Sequence, residues 1–210
     1  MVSNTSLAVI LRTKIVAILR GVNPTQVLPL AEALHAGGVQ ALEITMNSPG
    51  ALALIEKLAK RMNGKMLVGA GTVLDAATAQ TAIHAGASFI ISPSVDVGVI
   101  EMTRRLGAVS IPGAYTPTEI VQAHRSGGDL IKVFPAMHAS YIQAIRGPLP
   151  HIPLMPTGGV TLENIRSFQV AGAVAFGIGS AMVDAGREVD EKYLEEVRIT
   201  AEKFHAKLQR

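Results

Sequence analysis

The stretch His35-Ala36-Gly37-Gly38-Val39-Gln40-Ala41-Leu42-Glu43-Ile44-Thr45-Met46 runs from a helix-like segment, through a glycine pair, into an alternating apolar run. A glycine just past a helix takes the left-handed conformation that side chains resist, so it stops the helix and releases the chain into a strand. The phrase returns at 63–71 (NGKMLVGAG), 84–93 (HAGASFIISP), 105–113 (RLGAVSIPG), 126–135 (SGGDLIKVFP) and 171–180 (AGAVAFGIGS). Gly37, Gly64, Gly86, Gly107, Gly127 and Gly172 are the expected helix stops. The wide last interval holds two units, with Pro148 to Thr157 supplying the extra strand. With a first strand at 15–20, the reading gives strands near 41–46, 66–70, 88–92, 109–112, 130–134, 152–156 and 173–178.

Helix starts fall where they should between these runs. Asn23-Pro24, Ser48-Pro49, Asp75, Asp96, Thr116-Pro117 and Thr161 each precede an apolar-periodic segment. Even alternation of strand and helix, with no G-x-G-x-x-G after the first strand, predicts an α/β fold of the (β/α)8 TIM barrel type in preference to a doubly wound sheet. Residues 1–210 are expected to form one domain, and 187–210 an amphipathic closing helix.

Composition narrows the function. The chain has 210 residues, 49% hydrophobic and 17% charged, a net charge of +3 and no cysteine. Disulfides, thiolate nucleophiles and cysteine zinc sites are therefore excluded. No uncharged apolar span reaches transmembrane length, and the first residues lack the pattern of a signal peptide, so a cytoplasmic location with no membrane contact is expected. Three tyrosines, five phenylalanines and no tryptophan leave little for a base-stacking surface, and nucleic acid is not expected as a partner. A small positive surplus suits anionic small molecules. The six histidines have no ligand-like spacing, and neither a metal nor a cofactor is expected.

Chemistry is expected at the C-terminal ends of the strands, with side chains alternating between the interior and the helix layer. On the second strand Ala41, Glu43 and Thr45 share one face, opposite Leu42, Ile44 and Met46; Glu43 should therefore face inward. On the sixth, Leu130, Lys132 and Phe134 share a face opposite Ile131 and Val133, which turns Lys132 inward as well. A lysine inside an apolar run either extends its ammonium to solvent or loses its proton more readily because it is desolvated. A neutral lysine amine forms a Schiff base with a carbonyl substrate, and a nearby carboxylate serves as general acid or base. A structural ion pair of Lys132 with Glu43 is the alternative.

Thr157, Gly158 and Gly159 follow the seventh strand, and Gly179 and Ser180 the eighth, where barrel enzymes hold phosphate on backbone N–H groups. Each glycine pair alone reads equally as a tight turn. Arg20 ends the first strand, where its guanidinium could clamp an anion. Thr72 follows a glycine-rich strand end that lets a ligand approach the backbone, and Pro93 shapes the rim after the fourth strand.

The ordered motifs AILRG (17–21), AGGVQALEIT (36–45), VGAGTVLD (68–75), FIISP (89–93), IPG (111–113), IKVFPA (131–136), PTGGV (156–160) and GIGS (177–180) closely resemble the KDPG/KHG aldolase family, over about residues 15–183. The resemblance implies a metal-free class I aldolase in which Lys132 forms the Schiff base with pyruvate and Glu43 is the general acid/base. It also implies a homotrimer. Phosphogluconate-cleaving relatives often carry an arginine where this chain has Asn47. The N-S-P run at 47–49 is similar to the phosphogalactonate branch, whereas P-T-G-G at 156–159 is similar to the phosphogluconate branch. The expected reaction is reversible cleavage of a 2-keto-3-deoxy-6-phospho-sugar acid to pyruvate and glyceraldehyde 3-phosphate. A sugar-phosphate isomerase or epimerase, and a phosphometabolite-binding protein without activity, are the alternatives.

Overall fold

A computed structural model describes residues 5–209; residues 1–4 and 210 of the expected domain and closing helix lie outside it. Helix α1 (Thr5–Thr13) leads into β1 (Ile15–Leu19), followed by α2 (Val27–Ala36), β2 (Ala41–Thr45), α3 (Ala51–Arg61), β3 (Leu67–Gly71), α4 (Ala76–His84), β4 (Phe89–Ile91) and α5 (Val97–Arg105). The second half runs β5 (Val109–Ile111), β6 (Gly113–Ala114), α6 (Pro117–Arg125), β7 (Ile131–Val133), α7 (Ala139–Arg146), β8 (Leu154–Pro156), α8 (Ile165–Val170), β9 (Phe176–Ile178) and α9 (Glu191–Gln209).

All strand pairings are parallel, within a six-stranded sheet ordered β5-β4-β3-β2-β1-β9 and a three-stranded sheet ordered β6-β7-β8. The expected fifth strand, 109–112, is thus broken in two at Pro112, which has no N–H to give to a ladder. Its carbonyl still accepts from the Lys132 N–H at 2.9 Å. At the other seam a single parallel bridge joins Thr157 to Gly177, and the Val174 N–H donates to the Leu154 carbonyl at 3.0 Å. The fold is therefore α/β with parallel strands in two sheets, in place of one uninterrupted ladder.

Alternation sorts the core as the sequence predicts. Ala17, Leu42, Ile44, Val68, Ala70, Ile90, Ile131, Val133 and Leu154 pack outward against the helices. Val16, Ala41, Phe89, Ile91, Val109, Ile111, Leu130, Met155 and Ala175 form a second, interior cluster. Ile10 of α1 completes that cluster, fully buried. This helix was not evident in the sequence, and it supplies the apolar plug beneath the strands.

Three of the expected helix starts are side-chain caps: Asp75 accepts from the Thr78 N–H, Asp96 from the Val99 N–H, and Thr116 forms a full capping box with Glu119. Three are not. Asn23 holds a turn at Thr25, the Thr161 N–H donates to Asn164, and Ser48 accepts from the Gly21 N–H at 2.9 Å. The left-handed glycine after α2 is Gly38 (φ 93°), not Gly37. Gly37 is needed for another reason: a Cβ there would lie 2.5 Å from the Arg198 carbonyl and the Ala201 methyl, so it lets α2 and α9 touch.

Candidate active site

β2 and β7 carry Glu43 and Lys132 on their interior faces, and both residues are buried, at 0% and 3% exposure. Among the described residues, neither oxygen of the Glu43 carboxylate has a hydrogen-bond partner. Burial pushes the Glu43 pKa above the ordinary carboxylate value, because the charged form loses water, and the positive charges of Lys132 and Arg20 oppose that shift. For Lys132, burial lowers the pKa, Glu43 pulls it back up and Arg20 lowers it further. The ion pairs among the described residues lie on the surface, and Lys132 with Glu43 is not one of them within 4.0 Å. These two groups therefore sense each other through space without being neutralised in a contact pair.

Glycines make room for this arrangement. A Cβ on Gly71 would overlap the Glu43 carboxylate, and one on Gly69 would overlap the Phe89 ring of the interior cluster. Gly113 pairs with Lys132 across the β6–β7 ladder, and a Cβ there would stand 2.5 Å from the Pro93 backbone. On the open side the Lys132 Nζ lies 4.9 Å from the ring centroid of Phe134, a residue that is 37% exposed.

Above Lys132 opens a cleft of about 440 Å³. It brings together Arg20, Lys132, Thr157, Gly158, Gly159, Gly179 and Ser180, seven of the residues singled out in the sequence. Glu43, Thr72 and Pro93 lie outside its lining. Thr72 is half-buried in the left-handed region (φ 57°) at the end of β3, and Pro93 sits against Gly113. Gly158 and Gly159 have φ of 77° and 89°, and a Cβ on either would press on Phe134 or the Ala136 carbonyl. Among the described residues, no protein acceptor takes the N–H of Gly159 or Ser180. Unused N–H groups beside a cleft also lined by Arg20 and Lys132 make its wall suited to an anion.

Several contributors were not singled out in the sequence. Phe134 was legible as sharing the Lys132 face, but not as the ring beside the amine. Gly71 and Gly177 give space to Glu43 and Thr157, which becomes apparent only once the strands are in register. Asp184 enters the lining from the chain after β9, where no motif marked it. Ser48, read as a helix cap, instead bonds the Thr45 hydroxyl at 2.8 Å and the Gly21 N–H, and so ties the end of β2 to the residue after Arg20.

The chain is 36% identical over 175 residues to a probable 2-dehydro-3-deoxy-6-phosphogalactonate aldolase of Rhizobium meliloti, covering 82% of each chain. It superposes on a native KDPGal structure with a TM-score of 0.87 and 31% identity, covering 93% of this chain and 94% of that one. A KDPG aldolase from Legionella pneumophila, with pyruvate captured as a covalent carbinolamine, matches with a TM-score of 0.78 and 27% identity over 96% of both chains. The family model of KDPG and KHG aldolase matches residues 7–198, and the chain belongs to that family.

Proposed function

We propose that the cleft takes a 2-keto-3-deoxy-6-phospho-sugar acid and cleaves it reversibly to pyruvate and glyceraldehyde 3-phosphate by class I chemistry. The observation that carries this reading is a lysine, 3% exposed, that opens onto a cleft while burial disfavours its ammonium form. The Lys132 amine attacks the C2 ketone, and the resulting carbinolamine loses water to give a protonated imine. Glu43, directly or through a water, takes the C4 hydroxyl proton. The C3–C4 bond breaks, and its electron pair enters the imine to form an enamine and release the aldehyde. Protonation of the enamine at C3 and hydrolysis return free Lys132 and pyruvate.

Arg20 and Thr72 are assigned to the carboxylate of the pyruvate half, and Pro93 shapes the neighbouring rim. Thr157, Gly158, Gly159, Gly179 and Ser180 are assigned to the phosphate, whose charge their N–H and hydroxyl donors suit. No metal or cofactor has a step in this scheme. A sugar-phosphate isomerase would need no imine, so the buried lysine favours the aldolase over it.

A closed (β/α)8 barrel spanning the chain as one domain is our reading of the two sheets. The consecutive strand order, the Thr157–Gly177 bridge and the split at Pro112 support it. A homotrimer is proposed with it, as the family resemblance implies, and the exposed Tyr115 and Met137 (38% and 61%) offer apolar surface to such an assembly. No helix among the described residues is long and apolar enough to cross a membrane, which accords with a cytoplasmic location.

Borohydride reduction in the presence of pyruvate tests the reaction. A pyruvyl adduct on the Lys132 peptide, absent from Lys132→Ala, is expected; an unmodified peptide in the native protein would exclude imine chemistry. A side-by-side assay of the gluconate- and galactonate-series acids then assigns the epimer.

A further inference from the structure

The last helix reaches the cleft through one hydroxyl. Tyr193 lies in the first turn of α9, 4% exposed, and its N–H donates to Asp190 at 2.7 Å. Its phenol oxygen accepts from the Asp184 N–H at 2.6 Å, and its O–H donates to the Asp184 carbonyl at 3.1 Å. Asp184 lines the cleft, as do Gly179 and Ser180. The chain between them hangs from the Gly179 carbonyl, which accepts the N–H groups of Met182 and Val183 at 2.8 and 3.0 Å, and both of those side chains are buried. One end of this wall is thus fixed by β9 and its own turn. At the other end Asp184 is held by Tyr193, with an additional bond from the Gly186 N–H to the Asp184 carboxylate at 2.9 Å. Arg187 lies over the Tyr193 ring, 4.3 Å from its centroid, and pairs with Glu196 at 2.5 Å, which fixes the ring in turn.

We propose that Tyr193 is a positioning residue for the reaction: its hydroxyl latches Asp184 so that the wall from Gly179 to Asp184 presents its unused donors to the anionic end of the substrate. The proposal rests on the reading that this wall takes the phosphate. A phenol that both donates to and accepts from one residue's backbone fixes the position and direction of that chain more tightly than packing alone. Lys132 and Glu43 stand on other strands, so loosening the wall leaves the pyruvate chemistry intact.

Tyr193→Phe keeps the ring and removes the latch. Its KM for the phosphorylated keto acid, and the Ki of inorganic phosphate as a competitive inhibitor, should rise about tenfold, as expected for the loss of a hydrogen-bonded anchor. Its kcat and its exchange of pyruvate C3 protons should stay within about twofold of native. Ser180→Asp, which adds a negative charge to the same wall, serves as the control and should raise both constants. Unchanged constants in Tyr193→Phe with raised ones in Ser180→Asp would overturn the latch alone. Unchanged constants in both would remove the anion wall and the proposal together. A parallel fall in pyruvate exchange in Tyr193→Phe would assign the tyrosine to general stability and overturn the proposal.

Discussion

Gly71 leaves vacant the space that the Glu43 carboxylate occupies, because the first side-chain atom of any larger residue there would overlap Oε1. The two residues lie on the paired strands β2 and β3, and the acid reaches its interior position only because the neighbouring strand ends in a glycine. Gly71→Ala should therefore displace the carboxylate while the strands still form. We expect kcat to fall by about 100-fold, the scale of loss for a catalytic group moved by an ångström, with an unaltered far-UV circular dichroism spectrum. Near-native kcat would mean that Glu43 does not need this position.

The charges of Arg20 and Glu43 push Lys132 in opposite directions. Attack requires the neutral amine, so adduct formation with pyruvate should increase as pH rises through a Lys132 pKa that lies below the ordinary lysine value. Arg20→Ala removes a cation that disfavours the ammonium, so the pKa rises and the profile moves to higher pH. Glu43→Gln removes an anion that favours the ammonium, so the profile moves to lower pH. Borohydride trapping rates measured across pH check both signs, and shifts in the same direction would rule out direct coupling among the three groups.

The buried pair should reduce stability. Glu43 has its pKa raised and Lys132 has its pKa lowered, so in each case folding disfavours the charged form that the unfolded chain holds at neutral pH. Replacing both, as Lys132→Met with Glu43→Gln, removes that penalty without leaving one charge alone. Urea denaturation should give a double variant as stable as native or more stable by ~1–4 kcal/mol, although inactive. Clear destabilisation would identify the pair as structural.

Gly37 makes a stability prediction away from the cleft. Its substitution by alanine would drive a methyl into the Arg198 carbonyl and Ala201, forcing α2 and α9 apart. Overpacking of this kind costs ~1–3 kcal/mol, which should appear in the urea midpoint with kcat retained. Gly38→Ala should also destabilise the chain, through strain at φ 93°.

Much of the fold follows from local signals that any stretch of chain carries with it. Glycine after α2, α3, α4, α5, α6 and α8, caps at Asp75, Asp96 and Thr116, and the two-residue alternation of β2 and β7 set the order of elements and turned Glu43 and Lys132 inward. These are properties of consecutive residues and need no knowledge of the rest of the chain. Helix α1 was not legible, because its apolar residues have no partner until the strands assemble an interior cluster around Ile10. Ser48 reads as a helix cap because its neighbours in sequence suggest one, yet its bond to Gly21 joins residues 27 positions apart.

What the sequence by itself determined is therefore the chemistry available: a lysine and a glutamate on inward faces, and glycines at the ends of the last strands. The tertiary structure decided how those groups act. It buried the pair without a salt bridge, set Phe134 beside the amine, cleared space for the acid at Gly71, and used Tyr193 of the last helix to hold a wall of the cleft. Desolvation, register and contact between distant segments exist only after the chain has folded, and they are what separates a buried lysine that opens onto a cleft from one that extends into water.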